Sequence, residues 1–185
     1  MSLGQIKKLL SSDIFPNIEE SDTKHAAVLI VFYGQDVKMI MTQKPMSMQQ
    51  HAGEISFPGG KPVEGDGDLL DTAIRETEEE IALHVPREHV IGQLNPVKTR
   101  NSGFTIIPFV AILEEIPRLQ PNSEVEEILH IPAIPLLQTL DADDDEEHRS
   151  LFEAYKFTYK DKIVWGASAR MLKQIADIFR QNNLL

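Results

Sequence analysis

The sequence contains no cysteine. Disulfide bridges and thiol nucleophiles are thereby excluded, and a reducing compartment is compatible with the absence. It also lacks any apolar run approaching the ~20 residues of a membrane span, and its opening MSLGQIKKLL has no apolar core of the signal-peptide kind. The expectation is a soluble, cytoplasmic protein. Positive charge is scarce: 18 basic residues against 29 acidic ones leave a formal net charge of -11. Such a balance argues against nucleic acid and anionic membrane surfaces as general partners, and an anionic substrate would need local compensation. Internal repeats and composition breaks are absent too, so the 185 residues read as one domain, 1–185.

What the chain does contain is strands alternating with helices. AAVLIVFYG, Ala26 to Gly34, is continuously apolar and ends on a turn glycine, as expected of a strand buried on both faces. VKMIMTQK follows after a short polar turn, and the two predict a hairpin. GEISFPGGK reads as a short strand closed by a Pro-Gly-Gly turn, and Asp66 to Leu83 as a helix ending near Pro86. Further strands are expected at His89 to Leu94 and at Thr105 to Leu113, the second interrupted by Pro108. EVEEILHIPAIPLLQTL fits a strand and a short helix, and DADDDEEH, Asp141 to His148, a solvated acidic loop. Phe152 to Tyr159 and Lys162 to Trp165 bracket a turn before a terminal helix, Ala167 to Gln181. The pattern predicts an α/β fold, a sandwich around a mixed sheet.

The stretch RETEEEIAL, residues 75 to 83, crowds like charge onto the central helix although each repelling pair one turn apart costs roughly 0.2 to 0.5 kcal/mol. At 100° per residue, Leu70, Ala73, Ile74, Thr77 and Ile81 form the packing stripe. Relative to Glu76, Glu80 lies about 40° to one side and Glu79 about 60° to the other, so three carboxylates share a separate face. Arg75 stands one turn before Glu79 and can orient it. Asp68 and Asp71 form an acidic cap at the helix start. A solvated face is one account of the glutamates; a site for a hard divalent cation, Mg²⁺ or Mn²⁺, is the other.

Immediately upstream, HAGEISFPGGKPVEGDGD places backbone that can approach a ligand closely beside those carboxylates. The two features explain each other if the substrate is a phosphoanhydride, whose hydrolysis calls for metal ions that neutralise and orient the diphosphate and activate water.

At these residues the chain resembles the Nudix hydrolases. Gly60, Arg75, Glu76, Glu79, Glu80 and Leu83 fill that family's pattern of Gly, Arg-Glu, Glu-Glu and an aliphatic residue. Thr77 replaces an aliphatic residue, Ala82 replaces a glycine, and the loop from Gly60 to Arg75 is one residue longer than the general spacing. The longer version resembles the coenzyme A diphosphatase branch, which Phe57, Pro58, Gly59, Gly60, Lys61, Asp66, Thr72, Ala73, Ile74, Arg75 and Glu76 follow in register. That branch's upstream signature keeps its spacing in IMTQKPMSMQQHAGEISFPGG, with Thr42 and Gly53 in place, while Lys44 and Gln49 replace its two arginines. The similarity runs from about Ala26 to Leu172.

The resemblance implies a Nudix-like α/β/α sandwich and hydrolysis of coenzyme A or acyl-coenzyme A to 3′,5′-ADP and a 4′-phosphopantetheine. Glu76, Glu79, Glu80 and the carbonyl of Gly60 are the candidate ligands for Mg²⁺ or Mn²⁺. The candidate catalytic residues are Glu79 as base with Arg75, Glu76 and Glu80. Candidate substrate contacts are Lys44, His51, Gly53, Phe57, Gly59, Gly60, Lys61, Lys98 and Arg100. Phe104, Phe109 and Trp165 read as core, and Glu124, Glu126 and Glu127 as acids that could reach in from another strand. Two alternatives stand beside this: a Nudix hydrolase of ADP-ribose or another nucleoside diphosphate derivative, motivated by Lys44 and Gln49, and a nucleotide-binding regulator without catalysis, motivated by Thr77 and Ala82. The expected partner is a small nucleotide-diphosphate substrate; a homodimer is left open.

Overall fold

The computed structural model describes residues 1–17, 24–48, 51–99, 103–145 and 154–185. Helix α1 (Leu3–Leu10) begins on Ser2, whose side chain accepts from the Gln5 amide while Gln5 reaches back to the Ser2 amide. Strand β1 (Lys24–Tyr33) turns into β2 (Lys38–Gln43), and β3 (Ile55–Ser56) and β4 (Gly59–Gly60) precede α2 (Leu69–Ile81). A short 3-10 turn at Arg87–His89 leads into β5 (Val90–Gln93), β6 (Val97–Lys98) and β7 (Phe104–Leu113). Then come β8 (Glu127–Pro132), α3 (Ala133–Gln138), β9 (Asp141–Ala142), β10 (Tyr155–Tyr159), β11 (Lys162–Val164) and α4 (Gly166–Gln181).

The main sheet is mixed. β1 runs parallel to β7 along its whole length, from Lys24 opposite Phe104 to Tyr33 opposite Leu113. β2 is antiparallel to β1 and to β8, and β5 and β6 both pair antiparallel with β7. β9, β10 and β11 form a small separate antiparallel sheet. Pro108 is tolerated inside β7 because its outer neighbour changes there: β5 ends opposite Phe109 and β6 pairs with Ile106, so no ladder amide is required between them.

Period-two alternation sorts β1 and β7 into two apolar layers. Ala27, Leu29 and Val31 pack with Ile107, Phe109 and Ala111 against Leu69, Leu70, Ala73 and Ile81 of α2. Ile30, Phe32 and Val110 pack on the other face with α1, α3 and α4, through Ile6, Leu136, Leu172 and Phe179 among others. The result is the expected α/β/α sandwich. Among the described residues no helix is long and apolar enough to cross a membrane.

Three expectations change. Gly59 and Gly60 are not a turn but a two-residue strand opposite Val28 and Ala27 of β1, because the absence of side chains lets backbone lie under α2. Helix α2 stops well before Pro86: Ala82 is its C-cap, in the left-handed region at φ 55°, donating to the Glu78 carbonyl. Within the acidic segment, Asp141 and Ala142 pair with β10 and Asp143 is buried, whereas 146–148 lie outside the described residues, as do Phe152 and the 153 position of the next expected strand.

Candidate active site

Helix α2 starts at a tight cap. The Asp68 carboxylate accepts from the Asp71 amide at 2.9 Å, and Arg87 from beyond the helix binds both Asp68 and Asp71. Negative charge at this end complements the helix dipole. Thr77, at the position where the family pattern has an aliphatic side chain, is buried with its hydroxyl donating to the Ala73 carbonyl at 2.7 Å, so its polarity is satisfied within the helix.

The glutamates divide by environment. Glu76 is half-buried over Gly60, so close that a Cβ on Gly60 would lie 2.5 Å from its carboxyl carbon. Glu80 is 5% exposed. It receives a backbone hydrogen bond from Gly59, yet its Oε2 is buried with no hydrogen-bond partner. Glu79 is mostly exposed and held at 3.0 Å by Arg75 Nη1. Glu78 points to solvent beside His84.

Arg75 organises the cluster. Its Nε and Nη2 donate to the two oxygens of Asp66 at 2.9 and 3.1 Å, and Nη2 also donates to the Lys61 carbonyl at 3.1 Å. Nη1 lies 3.0 Å from both Glu76 Oε1 and Glu79 Oε2. Asp66 accepts further from the Val63 amide and the Thr72 hydroxyl. The loop that is one residue longer than the general spacing is thus folded around the Asp66 carboxylate.

Electrostatics follow the burial. Burial, with Glu76 and Glu124 nearby, pushes the Glu80 carboxyl up to about 7 despite the opposing charge of Lys44. Burial also raises Glu76, partly offset by Arg75 and reinforced by Glu79 and Glu124. Asp66 is held down at about 2, chiefly by the Arg75 hydrogen bond.

The donor chemistry fits a hard divalent cation, with an unpartnered buried carboxylate oxygen on Glu80 and two further carboxylates, Glu76 and Glu124, close enough to raise its proton affinity. The carboxylates are not gathered into a finished cage: among the described residues no three carboxylate or imidazole groups converge closely enough to enclose an ion, and Arg75 occupies the space between Glu76 and Glu79.

The other candidates separate clearly. The positive charge of Lys44 opposes the rise of the Glu80 carboxyl. Gly53, at φ 70°, donates to the Lys44 carbonyl, and His51 is exposed and pairs with Glu54 at 2.8 Å. Phe57 is corrected: it is 2% exposed in the core on the α4 side, where its ring fills apolar space and is out of a substrate's reach. Lys61 is exposed with its ammonium 4.9 Å from the centre of the Phe104 ring, and Phe104 is only half-buried rather than core. Lys98 is exposed and its carbonyl accepts from Arg170. Arg100 and Gln49 lie outside the described residues. Glu126 and Glu127 line a separate cavity of about 550 Å³ with Tyr33 and His130, leaving Glu124 as the downstream acid at the helix.

The clamp of Asp66 on Arg75, the hold of Arg87 on the helix start and the influence of Glu124 on Glu76 and Glu80 are not assigned in the sequence pattern. The in-register Asp66 was a signal for the first; the other two depend on contacts between segments far apart in sequence.

This arrangement, a Gly-Gly strand laid under a helix of glutamates in an α/β/α sandwich, defines a class of phosphoanhydride hydrolase. The NUDIX domain model matches residues 23–155, and the chain belongs to the Nudix hydrolase family. Members of the family act on nucleoside diphosphate derivatives and generally use divalent metal ions. The chain is 30% identical over 167 residues to an uncharacterized Nudix hydrolase, NudL, of Yersinia enterocolitica, covering 87% of this chain and 84% of that protein. Among solved structures it is similar in fold to a MutT/nudix family protein from Enterococcus faecalis, with a TM-score of 0.58 and 12% identity over 97% of this chain and 67% of the other. It is also similar to the NUDIX domain of Shewanella oneidensis NrtR complexed with ADP ribose, with a TM-score of 0.51 and 20% identity over 63% of this chain and 79% of the other.

Proposed function

We propose that this Nudix hydrolase cleaves the diphosphate of coenzyme A or an acyl-coenzyme A, giving 3′,5′-ADP and the corresponding 4′-phosphopantetheine. The observation that carries the hydrolytic part is the buried, unpartnered Glu80 Oε2 beside Glu76 and Glu124. The coenzyme A part is supported by the branch-specific loop, whose Asp66 is the anchor of Arg75.

Glu76 and Glu80, with Glu79 and the carbonyl of Gly60, would hold Mg²⁺ or Mn²⁺. When bound, such an ion neutralises diphosphate charge and lowers the pKa of water. Arg75 is a positioning residue, keeping Glu76 and Glu79 in one orientation through its hold on Asp66. Water adds to one phosphorus, the bridging P–O bond breaks with its electron pair going to the departing phosphate oxygen, and a carboxylate, Glu79 in this reading, takes the proton from water. Lys44, Lys61 and Lys98 supply positive charge for the phosphates in a chain that is otherwise strongly acidic. Gly53 shapes the loop that carries Lys44, and His51 closes it through Glu54.

A second reading, hydrolysis of ADP-ribose or a related nucleoside diphosphate derivative, is favoured by one observation. Lys44 and Gln49 stand where the coenzyme A branch has two arginines, so the bidentate forks that would read a peripheral phosphate are missing. Measuring Mn²⁺-dependent turnover of coenzyme A, 3′-dephospho-coenzyme A and ADP-ribose, with phosphorus NMR in ¹⁸O-labelled water, separates the two. A clear preference for coenzyme A supports the first reading, and equal or better use of ADP-ribose replaces it with the second.

A further inference from the structure

Lys24 and Lys61 come from different segments, yet both ammonium groups stand over one ring: Nζ of Lys61 is 4.9 Å and Nζ of Lys24 is 5.9 Å from the centre of Phe104. Strand register makes the meeting, since Lys24 pairs with Phe104 and Gly60 with Ala27. Val28 and Ile106, in step with Lys24 and Phe104, pack toward α4, so alternation puts these two side chains on the face away from α2. Gly60 faces Glu76, and Lys61 is the next residue, with its carbonyl on Arg75 and its ammonium at Phe104. One residue therefore joins the carboxylate cluster to a doubly cationic patch around the end of a two-residue strand.

In a chain of net charge -11, neither lysine is ion-paired with a carboxylate among the described residues. The ring holds two flexible side chains near one another by cation–π attraction, which reduces the rotamer freedom that an anion would otherwise have to remove on binding. Two ammonium groups held this way suit a doubly charged phosphomonoester. We propose that Lys24 and Lys61, positioned by Phe104, form a subsite for a non-scissile phosphomonoester on the substrate's ribose. The inference deepens the coenzyme A reading and rests on it for the identity of the nucleotide.

The test is calorimetric binding of 3′,5′-ADP and of 5′-AMP to the full chain in Mg²⁺ buffer at low salt. The native protein is expected to bind 3′,5′-ADP about tenfold more tightly. Lys24→Met brings that ratio close to one, Phe104→Leu lowers it about threefold through loss of the ring's hold, and Lys8→Met, an equal charge change on α1, leaves it alone. Lys24 is exposed, so its variant is expected to keep the fold, which melting by circular dichroism checks. Equal binding of the two nucleotides, no binding of either, a ratio that survives Lys24→Met, or an equal fall with Lys8→Met overturns the subsite. Turnover is not part of the readout: a protein that keeps the ratio but does not cleave coenzyme A refutes the hydrolysis reading alone.

Discussion

Gly60 lies directly beneath the Glu76 carboxylate, and a methyl group added at Gly60 would fall 2.5 Å from both the carboxyl carbon and one of its oxygens. The neighbouring Gly59 meets a different obstacle. Its Cβ would lie 2.2 Å from the Ala27 carbonyl oxygen and 2.6 Å from the Val28 Cα, at a φ of 154°. One glycine makes room for a side chain that can swing aside, the other for backbone that cannot.

Replacing Gly60 with Ala should therefore displace Glu76 without unfolding the protein, lowering turnover by on the order of 100-fold, the scale of a 1 Å misplacement in an active site. Gly59→Ala should instead cost about 3 kcal/mol of stability through backbone overpacking. Steady-state kinetics and urea unfolding of both variants distinguish the effects; equal behaviour would contradict the stated contacts.

Glu80 sets activity against stability. Its carboxyl sits at about 7 in the fold against an ordinary 4.5, so between those values the native state binds more protons than the unfolded chain and stability falls as pH rises. Glu80→Gln should lower turnover about 100-fold. In chelator at pH 8 it should also raise stability by on the order of 2 kcal/mol, an advantage that disappears below about pH 4.5. Thermal melts across that range check the sign.

Asp66 has the opposite linkage. Its carboxyl is lowered to about 2 from 3.8, so its stabilisation is fully present above the higher value and is lost as pH falls through the lower. Asp66→Asn should cost about 2 kcal/mol at pH 7, with the gap to the native protein closing in acid. Turnover should fall as well, because Arg75 loses the fork that fixes it. Denaturant titrations at pH 7 and pH 3 measure the first effect.

Ala82 occupies a left-handed C-cap, a conformation that costs a non-glycine residue roughly 1 kcal/mol. Ala82→Gly should raise the melting temperature by about 2–4 °C. An unchanged or lower melting temperature would show that the cap carries no strain.

Much of this architecture was legible because it is local. Leu70, Ala73, Ile74, Thr77 and Ile81 declare one face of α2 by period alone; four of them are buried and Ile74 is half-buried. The run from Ala26 is buried in its middle residues from both sides, as continuous apolarity requires of a strand flanked by neighbours in a sheet. Elsewhere a residue's local preference is outvoted by packing. Pro-Gly-Gly usually marks a turn, but here the glycines are consumed by close packing under a helix. Ala82 was not readable as a stop, since the left-handed cap is imposed by the segment that follows it. Gln120 and Asn122 donate to the carbonyls of Ile81 and Glu80 at the same helix end.

The chain's order of residues determined by itself the helix, its three-glutamate face and the glycines before it, because spacing along a helix is rigid and side-chain type is given. Tertiary structure alone decided which acids share an environment. Helix geometry sets Glu79 and Glu80 about 100° apart, on either side of Glu76, and packing buries Glu80 to 5% exposure beside Glu76 and Glu124 while leaving the Glu79 side chain at 57% on the Arg75 side. Burial and the approach of distant charges are properties of the assembled fold, and they raise the proton affinity of Glu80 and Glu76.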